Sequence, residues 1–159
     1  MSLAHLEPDE FDCPTPDGQI RRVRVVYKSH CFTRGATGAD HHSIRCFDDR
    51  VFCPDRHSDS FLLPALVRSL PDCKVHQTWE KRNYVYLAIE SPAPDQLLHL
   101  FFEVRKNGGK RNRHVLMTVE SAHRKSPSTY TPPAKPNSIR FQMLIQNIYL
   151  ERPVQFAPR

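Results

Sequence analysis

Between Ile20 and Phe32 the chain alternates: Val23, Val25 and Tyr27 fall on one parity, with Arg22, Arg24 and Lys28 more or less opposite. That period of two predicts a half-buried strand with a basic outer face. TRGATGADHH, rich in Gly and Asp, follows as a loop or hairpin turn. SIRCFDDRVFC resumes strand character and is broken or bulged near Asp48 and Asp49. SDSFLLPALVRSLPDC carries the helical signal: Ser58, Asp59 and Ser60 are each capping types, Phe61, Leu62, Leu66 and Leu70 recur at helical spacing, and Pro71 ends the run. Pro64 fits only in a first turn, so the helix is short.

In KVHQTWEKRNYVYLAIE, Val85, Leu87 and Ile89 alternate with Tyr84 and Tyr86, and LLHLFFEVR resumes a strand after the stiff turn SPAPDQ. KNGGK supplies residues that accept positive φ and joins that strand to RHVLMTVESA as a hairpin. HRKSPSTYTPPAKPNS is too rich in proline for regular structure, and residues 126–138 are expected to cross the surface in extended form. In IRFQMLIQNIYL the parity of Ile139, Phe141, Met143 and Ile145 favours a strand, while Leu144, Ile148 and Leu150 leave a helix open. The expected fold is α+β: an antiparallel sheet of about five to six strands with one short helix packed on one face. Residues 1–159 are expected to form a single domain, with 1–19 an extended N-terminal arm.

Composition narrows the class. The hydrophobic fraction of 39% and the charged fraction of 25% are those of a globular chain, and 14 prolines imply stiff connections. The first residues lack a basic start followed by an apolar run, and no apolar window approaches a membrane span, so the expected location is soluble and cytoplasmic. Five cysteines, an odd number without a tight framework, read as reduced thiols. The net charge is +6, and residues 105–125 hold seven Lys/Arg against one acid, so one hairpin and its exit carry an excess equal to that of the whole chain. Such a patch suits an anionic partner.

Arg105, Lys106, Lys110, Arg111, Arg113 and Lys125 are the candidate nucleic-acid contacts on that hairpin. A basic hairpin tip also keeps a soluble protein from aggregating, which is the plainer reading. Cleaving RNA through its own 2′-hydroxyl needs a base, cations on the phosphate and an acid for the leaving oxygen. His123 or Glu120 are the candidate proton carriers, and Arg113 or Arg124 the phosphate holders. Strict alternation puts Glu120 and His123 on opposite faces unless the strand ends or bulges near Ser121. Tyr84, Tyr86, Phe101, Phe102 and Trp79 offer aromatic faces to unpaired bases, or pack in a core. Cys31, His41, His42, Cys46, Cys53 and His57 are of zinc-ligand type, but no Cys-x-x-Cys occurs, and neither a metal nor a cofactor is expected. Nucleotide-binding and serine-hydrolase motifs are absent from the sequence.

LHLFFEVRKNGG and VLMTVESAHRKSPSTY resemble the carboxy-terminal half of BrnT and RelE-type ribonuclease toxins. The resemblance covers roughly a third of the chain and implies functional roles for His123, Arg124 and Tyr130. The whole sequence is also similar to uncharacterised small proteins of mobile elements. The leading expectation is therefore a nucleic-acid-binding protein of a mobile element, RNA favoured, with metal-independent, toxin-like endoribonuclease activity at His123, Arg124, Glu120 and Tyr130. The rival is a non-catalytic module that binds and inhibits a host nucleic-acid machine. An antitoxin or a host protein is the expected protein partner, and a membrane is not.

Overall fold

The structure is a computed structural model that describes residues 2–46, 48–78, 84–88, 97–125 and 138–155, with backbone alone for 84–88, 97 and 125. The fold is α+β. Strands β1 (Asp9–Pro14), β2 (Ile20–Tyr27), β3 (Thr33–Gly35), β4 (Arg45–Cys46) and β5 (Arg50–Phe52) lead to helices α1 (Pro54–Ser60) and α2 (Leu63–Ser69). Strands β6 (Lys74–Gln77), β7 (Tyr84–Ala88), β8 (Leu97–Asn107), β9 (His114–Lys125) and β10 (Ser138–Arg140) follow, and α3 (Phe141–Tyr149) closes the order.

Seven strands form one sheet, β1-β2-β9-β8-β7-β6-β10, and β3-β5-β4 form a second, so an expected single sheet of five to six strands is corrected to two sheets. The large sheet is mixed, because β2 runs parallel to β9 with Val23 beside Val115 and Tyr27 beside Val119. The expected N-terminal arm is also corrected: β1 is an edge strand, in register from Asp9 opposite Val25 to Pro14 opposite Ile20. Alternation along β1 buries Cys13 and half-buries Phe11, which ties this segment to the core.

Two further corrections concern helices. The single helix expected after Ser58 is two, and Ser58, Asp59 and Ser60 lie inside α1 rather than capping a later helix. Pro54 opens α1 and Pro64 lies in the first turn of α2, where a missing N–H is harmless. The run after Ser138 is a strand for only three residues and then α3. Phe141, Leu144 and Ile145 are fully buried and Ile148 packs beside them, a spacing of three, four and seven that only a helix puts on one face. Phe141 meets Phe102 of β8 and Phe11 of β1, so α3 covers the sheet at its centre and its β1 edge.

Asp48 and Asp49 take φ of 56° and 61° and turn β4 back onto β5; aspartate tolerates this region better than most residues. The β8–β9 hairpin forms where Asn-Gly-Gly predicted it. Gly108 has φ of 81°, and a side chain there would collide with the Asn112 carbonyl. Gly109 N–H donates to Asn112 Oδ1 at 2.8 Å and fixes the loop.

Candidate nucleic-acid interface

The parallel pairing of β2 with β9 brings the start of the basic strand beside the hairpin tip. Arg24 is in register with Leu116, which is in register with Arg105 of β8. Successive strands are about 4.8 Å apart, so Arg24 and Arg105 flank Leu116 about 10 Å from one another. Beside this row a cleft of about 390 Å³ is lined by Arg21, Arg22, Arg24, Arg111 and Arg113, with Asn112, His114, Ile20 and Tyr149. Glu10 and Asp12 of β1 are the acids on its wall.

Each wall residue is placed by local structure. Tyr149 ends α3, and the guanidinium carbons of Arg21 and Arg113 lie 4.3 Å and 5.4 Å from its ring centroid. Cation–π stacking of this kind orients an arginine while leaving N–H groups at its rim for phosphate. Arg21 also donates to Asp17 at 2.6 Å, while Asp17 N–H donates to Gln146 of α3. Arg22 lies 3.7 Å from Glu10, an exposed and weak pair. His114 Nδ1 bonds the Asn112 carbonyl at 2.8 Å, and its buried Nε2 has no partner among the described residues. Ile20 is 68% exposed at the rim, an apolar platform in a cationic surround.

The other expected contacts go elsewhere. Lys106 bridges to Glu151, just beyond α3, at 2.9 Å. Arg105 and Lys110 are exposed, Arg105 on β8 and Lys110 on the loop. The backbone of Lys125 pairs with Leu97 at the far end of the hairpin.

The expected catalytic residues lie at that far end. Nine residues separate His114 from His123, roughly 30 Å of strand at ~3.3 Å per residue. Phe102 opposes Val119 and Phe101 opposes Ser121, which leaves Glu120 as the extra residue of a bulge. The buried set accordingly shifts from Val115, Met117 and Val119 to Ala122, and the bulge returns Glu120 and His123 to one face. They do not form a pair: Glu120 binds Lys28 at 2.7 Å, while His123 stacks on Phe101 at 5.4 Å and on His99 at 6.4 Å. His99 is fully buried although Leu98 and Leu100 face the other way, so both faces of the sheet are covered here. Arg124 makes a two-pronged contact with Asp59 of α1, Nε at 2.8 and 2.9 Å and Nη2 at 2.5 Å, with 14% of each side chain exposed. Tyr130 and Trp79 lie outside the described residues.

Of the aromatic candidates, Phe102 is core and Tyr84 and Tyr86 are register partners of Phe102 and Leu100. The thiols of Cys13 and Cys31 are buried, and desolvation pushes each up to about 12. Among the described residues no three His, Cys, Asp or Glu side chains converge as a metal site.

Sequence reasoning missed Arg21, Arg22, Arg24, His114 and Tyr149 as cleft residues. The basic face of β2 was the available signal, but the partner of that strand is not encoded locally.

The YjaZ family model matches residues 1–149. The chain belongs to the YjaZ family. Neither a curated protein nor a solved structure shows a match to this YjaZ-family chain. The family description names no activity, so the geometry of the cleft carries the functional argument.

Proposed function

We propose that this YjaZ-family protein binds the phosphate backbone of a nucleic acid, RNA favoured, in the cleft between β2, the hairpin tip and Tyr149. The observation that carries this reading is the convergence of five arginines from two distant segments on one cleft with two acids. Arginine forks match phosphate oxygens, and each phosphate neutralised releases counterions. Unpaired RNA is favoured over a duplex because arginine planes stacked on a tyrosine, beside an exposed isoleucine, offer faces to splayed bases. The same geometry favours a non-catalytic binding module over a ribonuclease: Arg124 is committed to Asp59, Glu120 to Lys28, and His123 lies roughly 30 Å from the cleft.

Fluorescence polarisation with a short labelled RNA strand and its duplex tests the assignment. The double variant Arg111→Ala/Arg113→Ala is expected to lose about tenfold or more in affinity for the single strand, since two phosphate contacts go. Affinity equal to that of the unaltered protein contradicts the cleft. Running the same mixtures on a denaturing gel in chelator scores cleavage, with intact RNA expected. Metal-independent cleavage that His123→Ala abolishes would move the function to the exit of the hairpin.

A further inference from the structure

At the opposite end of β2, two arginines stand out from the rest by what they bind. Arg34, Arg45 and Arg124 each face a carboxylate, respectively Asp40, Asp49 and Asp59. Arg50 and Arg56 form no ion pair among the described residues, and Asp48 is the carboxylate whose charge acts on Arg50 from farther off. Arg50 Nε donates to Thr33 Oγ1 at 2.7 Å and its Nη2 to the Thr33 carbonyl at 3.2 Å. Arg56 Nη1 donates to that same carbonyl at 2.9 Å and to the His30 carbonyl at 3.2 Å. Thr33 is fully buried and anchored through its hydroxyl to the Ser29 carbonyl at 2.8 Å.

Two half-buried cations are therefore held side by side on one oxygen by neutral acceptors. Like charges at such range repel, and partial burial weakens the screening that would relieve them. Desolvation, then Arg56, lower the proton affinity of Arg50 against the opposing pull of Asp48 and Cys46, while desolvation, Arg50 and Lys28 lower that of His30 against Glu120. The remaining N–H groups of the two guanidiniums donate to no other described residue.

We propose that Arg50 and Arg56, with His30 beside them, form an oxyanion site that takes a phosphoryl group. A phosphoryl oxygen set between two oriented guanidinium forks accepts charge-assisted bonds from both and removes their repulsion. The site stands on different residues from the arginine cleft and does not depend on it. The phosphoryl group has two chemical sources, a free or small-molecule phosphate and a phosphodiester of the polymer.

Thermal unfolding in rising inorganic phosphate at constant ionic strength, with phosphorus NMR of the bound fraction, tests it. The melting temperature is expected to rise with phosphate and saturate, and Arg50→Gln is expected to weaken the response about tenfold or more. Arg50→Lys keeps the charge, loses the fork and gives an intermediate response, which guards against a misfolded variant. No rise, or a rise that Arg50→Gln leaves intact, overturns the site. A short RNA strand in place of phosphate separates the sources: weaker RNA binding by Arg50→Gln assigns a phosphodiester, and loss of the phosphate response alone assigns free phosphate. Arg111→Ala/Arg113→Ala leaves the phosphate response unchanged if the two sites are separate, and its removal by that variant contradicts a second site.

Discussion

At the tip of the β8–β9 hairpin, Arg111 and Arg113 face a cleft in which five arginines meet two acids. At the exit of the same hairpin, Glu120 and Arg124 each hold an opposite charge and His123 is stacked on Phe101. The residue types at the two ends are nearly the same. Their surroundings differ: α1 and the segment after β2 pack over the exit and bring Asp59 and Lys28 with them, whereas among the described residues the tip is met by β1, β2 and the end of α3. Ionisable residues clustered in sequence become a candidate site where the fold gathers more cations than it supplies acids to match.

The largest effect that sharpens this comparison belongs to the exit. Removing Arg124 leaves Asp59 charged and 14% exposed. Breaking a largely buried ion pair from one side costs about 3 kcal/mol. Arg124→Ala is expected to lower the denaturant midpoint accordingly, with RNA affinity of the folded fraction unchanged; a variant of normal stability and lost affinity would reverse the assignment. Next comes Gly108→Ala at the tip. A φ of 81° and the collision with Asn112 predict a loss of about 1 to 2 kcal/mol and a displaced loop. Affinity falls with it if the loop positions Arg111 and Arg113, and full affinity would show that it does not.

Smaller still is the response to mild acid. His5, His30 and His76 all have pKa values held below the ordinary 6.5, chiefly by burial. The unfolded chain takes up these protons first, so stability falls as pH drops from about 6.5 toward the lower folded values. Carboxylates held below their ordinary range contribute at more acid pH: Asp9 by the Glu10 N–H and then Arg68, Asp17 by the Thr15 hydroxyl and then Arg21, and Glu151 by Lys106. Unfolding free energies measured from pH 7.5 to 5 check the sign, and stability that rises on acidification contradicts it. The least effect is expected from Lys106→Ala, which breaks an ion pair to the well-exposed Glu151 and leaves stability nearly unchanged. A larger loss in calorimetry would mean that Lys106 anchors the end of α3.

How much of this was legible depended on the range of the interaction. The hairpin was readable because alternation along LLHLFFEVR and RHVLMTVESA and the Asn-Gly-Gly turn are local signals. The helix α3 was misread because Ile139, Phe141, Met143 and Ile145 happen to share a strand parity, while the buried spacing of Phe141, Leu144, Ile145 and Ile148 is helical. The parallel pairing of β2 with β9 left no local trace, yet it brings Arg22 and Arg24 to the tip. Asp59 looked like a helix cap because serine, aspartate and serine precede an apolar run, and its partner lies 65 residues away. The excess of cations in residues 105–125 was real, but Lys106 and Arg124 are bound by Glu151 and Asp59 and only part of the remainder reaches the cleft.

The dependence of RNA affinity on salt compares the two ends directly. For a single strand, the logarithmic slope falls by about 0.7 for each phosphate contact removed. Arg111→Ala/Arg113→Ala is expected to flatten the slope by about 1.4, while His123→Ala leaves it unchanged. An unchanged slope in the tip variant, with a flattened one in the exit variant, would contradict the account.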